Sequence, residues 1–568
     1  MNMIKSKFVN SAFVVFLPIV YIIVYLLIGN QKGPYYWTPN QDPDYAYLAN
    51  SLVLTLFRVP SHTDHPGTPL QMLGALTIWV GHFFRSLFNP ALPRDVATDV
   101  LTDPEPFLHL FNFVLLLLTA IALVALGWVA YRLSRSLILV LILQISPFLM
   151  IKTHLGGEPS RVSPDVLVFC ISQLLALVLV QHLYTENGGK LRGFALRLGA
   201  VFGLGMATKV TFIPMFLFFL LPRGWKNKAW ALGAAIVAFV ISTLPIISRY
   251  NRTFRWMTGI ATHTGAYGGG DAGLVATDSL GRNIYLLVTR NLVFFGILLT
   301  ATIVALVIAA LWRRWGSAEE SGRQAEPADE LADSQPRFHL RSPHFRKTYA
   351  LLVITTLVMW GQVALTVNEQ PQSRYLDPSA GLMGFLVFLL VQIGLAIGST
   401  TGSRFVPKVN VAVPAIALAL CVLLSAQQAD ASIDQIAPQA KKRAAELNRI
   451  EKILERDQYR SCARLLSRRA STIESALKFA DFWAGKKLAT RLQPLYPNSA
   501  FYIDENKSFE SFTEPVSLET MAQRGNGCVL LEINAVPPQS KKARFRPQQA
   551  LEKVFEGRHE AVYRIKTS

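Results

Sequence analysis

Cysteine is scarce, with four residues in a chain of 568. That is too few for a disulfide-built fold, and two of them, Cys170 and Cys421, fall in apolar runs where a buried thiol is inert packing. Only Cys462 and Cys528 share a polar region, where an oxidising compartment would let them pair. A glycine-rich phosphate loop is also missing. The stretch His263-Thr-Gly-Ala-Tyr-Gly-Gly-Gly-Asp271 has neither the preceding strand nor the Gly-Lys-Ser/Thr ending that such a loop requires, and it reads instead as a lid. No repeat relates the two halves, which argues against a transporter built on duplicated bundles. No small-residue cleavage site follows the basic residues 1–7 and the apolar run behind them, so that run reads as a retained first span with its N-terminus inside.

What the chain has in abundance is uninterrupted apolar sequence. Hydrophobic residues make up 51% of it and the mean hydropathy is +0.32. The apolar residues gather in nearly charge-free blocks at 13–29, 107–131, 136–151, 166–180, 229–247, 292–312, 349–367, 381–398 and 411–426. Most approach the roughly 18–20 residues needed to cross about 30 Å of hydrocarbon. A soluble protein would interleave polar positions at helical spacing. The sequence therefore predicts an all-α polytopic membrane protein.

A net charge of +19 suggests nucleic acid until its placement is considered. Arg132 with Arg135, Lys190 with Arg192, and Arg223 with Lys226 and Lys228 sit at span ends, as do Arg313 with Arg314, Arg346 with Lys347, and Arg404 with Lys408. Putting these clusters on the cytoplasmic side gives a consistent alternation of about eleven spans, two of them short, at 198–207 and 212–221. Residues 69–88 are apolar enough to cross, but a crossing there would turn every later basic cluster outward. They are read as a helix lying on the outer surface. Outer loops then fall at 30–105, 154–164, 249–290 and 368–380, and the acidic stretch 316–336 reads as a disordered cytoplasmic linker. Residues 1–428 form the membrane module. Residues 429–568, with a helical pattern at 439–456 and strand-like runs at 528–533 and 561–565, form a small outward α/β domain.

The outer loops hold the residues with chemical potential. Thr38-Pro-Asn-Gln-Asp-Pro-Asp-Tyr-Ala-Tyr-Leu48 places Asp42 and Asp44 just past the first span. A turn and helix cap would explain them. A carboxylate at the membrane surface can equally deprotonate an attacking hydroxyl or hold a divalent cation such as magnesium or manganese. His62, Asp64 and His65 lie within four residues. That spacing suits a metal but is not specific to one, and His65-Pro66-Gly67 reads more simply as a rigid turn. In the second loop, Glu158, Arg161 and Asp165 cluster on the side of Asp44. Asp165 also reads as a first-turn acid behind Ser163-Pro164, and it is a second possible metal ligand. Lys209, between two short apolar runs, and Arg374 with Tyr375, at an outer span mouth, are cations suited to a phosphate. Arg249, Arg252 and Arg255 recur every three residues on one helical face, where lipid headgroups or a substrate would satisfy them.

At these residues the chain resembles the C-type (GT-C fold) membrane glycosyltransferases, the superfamily of protein O-mannosyltransferases and lipid A aminoarabinose transferases. Four features match in order over roughly residues 10–426: Asp44 with Tyr47 after the first span, His65-Pro66 before a surface helix, Thr208-Lys209 in a glycine-rich paired span, and Arg374-Tyr-Leu-Asp-Pro378 before a late span. The resemblance implies a polyprenyl-phosphate sugar as donor, a catalytic carboxylate at Asp44, and Lys209 and Arg374 as partners of the lipid phosphate. Relatives often carry adjacent acids, whereas here Pro43 separates Asp42 from Asp44. The acceptor would be a glycan, lipid or protein of the cell envelope, and the location a bacterial inner membrane with the C-terminal domain outside. A transporter or flippase of lipid-linked sugars, and a membrane-anchored assembly protein in which Asp44 is dispensable, are the competing expectations.

Overall fold

The structure, a computed structural model, describes residues 2–37, 41–64, 66–149, 160–185, 191–265, 269–273, 277–322, 342–369, 371–399, 406–468, 470–503, 508–534 and 551–565. His65, Glu158 and most of the 316–336 linker lie outside them. Among the described residues, five helices are long and apolar enough to cross a membrane: Ala12–Gln31, Glu105–Ser134, Pro164–Tyr184, Leu292–Arg313 and Pro343–Asn368. The number rises to seven if two bent pairs each count as one span. The chain is an integral membrane protein, and shorter apolar helices at Val210–Leu220 and Ala412–Gln428 add to the set among the described residues. Several of the expected spans are broken or short. Trp225–Ser242 turns through 83° into Leu244–Thr262, and Ser373–Ala380 turns through 48° into Met383–Ile397. The run Val210–Leu220 is a 3₁₀-helix containing Pro214. Proline explains the first break, because it removes a backbone donor and collides with the preceding turn, and Pro245 opens the segment after that bend.

Small residues set the closest helix contact. A Cβ on Gly199 would lie 2.0 Å from the Ala231 carbonyl oxygen, and one on Gly203 would lie 2.1 Å from that of Ala235. The Leu191–Thr208 helix therefore packs backbone to backbone on Trp225–Ser242 through a small-xxx-small stripe, the contact that substitutes for hydrophobic drive inside lipid. A Cβ on Gly205 would fall 2.3 Å from the Phe212 ring. The chain can thus turn sharply at Lys209, which caps the 3₁₀-helix that follows.

Residues Thr68–Phe88 form one helix that is not among the spanning set. Gln71, Gly74, Ile78 and His82 face inward, while Leu76, Trp79, Val80, Phe83, Phe84 and Leu87 are exposed. The helix starts from Gly67 at φ +66°, a left-handed conformation that glycine adopts without strain.

The last membrane helix does not stop where the hydropathy does. Val406–Leu454 is a single 49-residue helix, so the expected boundary at 428/429 falls inside it. It delivers a six-stranded mixed sheet of order β3-β2-β1-β4-β6-β5: β1 Ala463–Ser467, β2 Ala500–Ile503, β3 Ser508–Glu510, β4 Val529–Asn534, β5 Leu551–Glu556 and β6 Glu560–Ile565. The three central strands β2, β1 and β4 are parallel and the outer pairings antiparallel. Cys462, just before β1, is joined to Cys528, just before β4. The domain rests on the long first loop through Arg491–Asp95 (2.7 Å), Tyr496 Oη to the Leu101 carbonyl (2.8 Å) and Asn50 Nδ2 to the Trp483 carbonyl (3.3 Å).

Candidate functional site

The acid-bearing segment is fixed from three sides. Gln41 Nε2 donates to the carbonyls of Tyr36 (2.7 Å) and Ala470 (2.8 Å). Glu105, at the start of a span, accepts the backbone N–H groups of Tyr35 (2.9 Å) and Tyr36 (3.1 Å) and the Tyr45 hydroxyl (2.9 Å). Between these anchors Asp42 is exposed and Asp44 is fully buried. The Asp44 carboxylate accepts Arg161 Nε at 2.9 Å and the Val162 backbone N–H at 2.5 Å, and Arg161 also donates to the Asp42 carbonyl. Burying a carboxylate is costly unless a charge or several donors meet it, and Asp44 has both.

From Arg161 the cluster continues along the Pro164–Tyr184 helix. Ser163 is the N-cap and its hydroxyl accepts the Asp165 N–H at 3.1 Å. Capping does not exhaust Asp165, because its Oδ1 also receives Lys209 Nζ, and both side chains are only 3% exposed. Lys209 Nζ stands 4.6 Å over the Tyr375 ring and Arg374 Cζ lies 5.2 Å from the same ring, both within cation–π range. Gln362 Nε2 holds the Tyr375 carbonyl at 2.7 Å. Two groups result: Asp44 with Arg161, and Asp165 with Lys209, Tyr375 and Arg374, joined through the short stretch of chain from Arg161 to Asp165.

Tyr47 is buried and packs edge-on against His62, with ring centroids 5.2 Å apart, and His62 in turn meets Trp483 of the outer domain at 4.7 Å. Burial holds the His62 pKa below its ordinary value, while the Asp64 and Asp42 charges act the other way. His62 is therefore an aromatic wedge in the turn, and Asp64 faces Arg252 at 3.5 Å. Arg255 is exposed on the Tyr250–Thr262 helix and is not brought to the cluster. Among the described residues no three His, Cys, Asp or Glu side chains converge as a metal site. Asp44 and Asp165, the two carboxylates expected as metal ligands, each hold a basic side chain.

Sequence reasoning passed over Glu105 and Gln41. Pro104-Glu105-Pro106 reads as an ordinary helix start, and Gln41 as one more polar turn residue. The only usable signal was that a carboxylate at a span mouth needs partners.

Beside the cations lies an apolar groove of about 610 Å³. Its walls come from Ile213, Pro214 and Leu217, just past Lys209, and from Trp360, Val363 and Val367, on the helix that ends before Arg374.

No family model matches the chain, and no curated protein matches it. Solved structures share its fold. The crystal structure of ArnT from Cupriavidus metallidurans bound to undecaprenyl phosphate has a TM-score of 0.50 at 12% identity, covering 98% of this chain and 98% of that chain. The same protein in the apo state gives 0.48 at 11% identity, with 96% and 97% covered. The likeness runs the length of both chains, membrane helices and terminal sheet alike, and the polytopic fold expected from the resemblance is the one observed.

Proposed function

We propose that the chain is an integral membrane glycosyltransferase that moves a sugar from a polyprenyl-phosphate donor to a hydroxyl of a cell-envelope glycan, lipid or protein, at the outer face of a bacterial inner membrane. The N-terminus lies in the cytoplasm and the C-terminal domain outside. The observation that carries this reading is the meeting of Lys209 and Arg374 at the Tyr375 ring, with Arg161 on Asp44 at the start of the helix that carries Asp165 and an apolar groove walled by residues that neighbour Lys209 and Arg374 in the chain. A phosphate fits the cations and a polyprenyl tail fits the groove. The likeness in fold to a protein bound to undecaprenyl phosphate supports the same donor class.

In this reading the donor phosphate draws Arg161 and Lys209 away from Asp44 and Asp165, and Arg374 joins them. The leaving group gains negative charge as the sugar–phosphate bond breaks, and fixed cations where water is scarce stabilise that charge most strongly. Release of Arg161 frees Asp44 to take the proton of the acceptor hydroxyl. The acceptor oxygen bonds to the anomeric carbon as the phosphate oxygen departs with the bonding pair. Attack comes from the face opposite the lipid phosphate, so the anomeric centre inverts.

The test is to reconstitute the purified chain in vesicles with radiolabelled polyprenyl-phosphate sugars and envelope extract. Label passing from lipid to acceptor supports the proposal. No turnover with any donor, accompanied by movement of labelled lipid across the bilayer, would identify a transporter instead.

A further inference from the structure

A second cavity, of about 990 Å³, lies between the long Val406–Leu454 helix, one face of the sheet and the first outer loop. Its chemistry differs from that of the apolar groove. Three tyrosines line it, one from each neighbour: Tyr36 from the loop, Tyr459 from the end of the helical arm and Tyr496 from the outer domain. Four carboxylates, Glu451, Glu455, Glu474 and Glu532, share it with only two guanidinium groups, those of Arg460 and Arg464. One of these is already committed, since Arg464 makes a two-pronged pair with Glu532 at 2.5 and 2.9 Å. The unspent charge is therefore acidic. Those acids are close enough to the rings to be felt: burial pushes the Tyr496 phenol up to about 12, with Glu474 and Asp103 adding to it.

The cavity is tied to the acid-bearing segment. Tyr36, on its wall, accepts Gln41 Nε2, and the same nitrogen reaches Ala470, next to the cavity residue Ser471. Asp42 follows Gln41 directly. The cavity wall and the acid-bearing segment therefore share one anchor.

We propose that this cavity binds the acceptor, and that the acceptor is a saccharide chain whose bound segment is neutral or amine-bearing. The identification rests on the transferase reading. Tyrosine faces pack on the apolar faces of sugar rings and their hydroxyls hydrogen-bond at the edge, while carboxylates accept from sugar hydroxyls or ammonium groups. The volume stands at the upper end of the ~300–1,000 Å³ of small-ligand pockets, enough for more than one ring. A phosphate- or carboxylate-bearing segment would meet like charge, which selects against it.

The experiment uses the full-length protein in detergent against a panel of neutral, amine-bearing and phosphate-bearing oligosaccharides, with binding read by ligand-observed NMR. Undecaprenyl phosphate binding is measured in parallel as a readout of the cation cluster. Neutral or amine-bearing members should bind, and Tyr459→Ala and Glu474→Gln should each weaken them at least tenfold while leaving the lipid phosphate affinity unchanged. Preference for the phosphate-bearing members, binding that the two substitutions do not alter, or no binding by any member would overturn the proposal. Saccharide binding that persists without lipid phosphate binding would leave the cavity assignment standing and sink the transferase reading instead.

Discussion

Lys209 donates to Asp165 across a sequence gap of 44 residues, from the turn after one helix to the first turn of another, and both side chains are almost wholly removed from solvent. Such a pair contributes less to stability than its charges suggest, because both ions must shed water. In the proposed reading its place at a helix mouth serves the anion it can receive.

That pair yields a double test. Asp165→Asn leaves a buried ammonium unpaired and should cost about 3–5 kcal/mol of stability, read as a lower melting temperature in detergent. Adding Lys209→Met should recover most of that loss while transfer stays abolished. Recovery of transfer along with stability would make the pair structural only.

The two aspartates separate by activity. Asp44→Asn should lower kcat by about 10²–10⁴, as expected for loss of a general base, with the fold intact. Asp42→Asn, at an exposed position, should cost less than tenfold. The reverse ranking in a steady-state assay would move the base to Asp42.

We propose that the transfer runs without a divalent cation, because Arg161, Lys209 and Arg374 can neutralise the phosphate charge that a metal would otherwise meet. Incubation with EDTA followed by desalting should change the rate less than twofold. A large loss restored by magnesium or manganese would refute this.

Gly203→Val would force a side chain onto the Ala235 carbonyl. The helix pair must separate, costing roughly 1–3 kcal/mol as overpacking does, and Lys209 moves with it. Lower thermal stability together with a raised donor KM is expected. Gly233→Val, at a position with open space around a Cβ, should do neither.

The outer domain should respond to pH through Glu560. Burial raises its carboxyl from 4.5 to about 7, with the Ser471 hydrogen bond and the Arg443 charge acting to lower it and Glu446 to raise it. Folding therefore favours the neutral form. That contribution is complete below pH 4.5 and is lost as pH climbs through about 7, a change on the order of 3 kcal/mol. Melting curves should show the wild type losing stability relative to Glu560→Gln over that window, and parallel curves would contradict the assignment.

Legibility in the sequence followed the range of the forces involved. Membrane helices announce themselves through hydropathy alone, and the Ser163 cap and the β4 and β6 strands were visible as local patterns. The Cys462–Cys528 bridge was legible as a possibility, because only those two cysteines share a polar region. Bends and 3₁₀ geometry within apolar runs were not legible, since hydropathy does not report whether a run is straight. The Asp44–Arg161 and Asp165–Lys209 pairs were not legible, because each joins residues far apart in the chain, 117 and 44 positions respectively. Glu105 and Gln41 were invisible because both act on backbone groups far away in the chain, and no spacing rule records that.

Gln41 deserves a last consequence. One amide nitrogen is shared between Tyr36 in the loop and Ala470 in the C-terminal domain, and the next residue begins the acid-bearing segment. The C-terminal domain is therefore a splint for that loop as well as a neighbour of it. A chain cut after the long helix would keep its membrane anchor, yet the loop carrying both aspartates would lose the brace that holds its alignment.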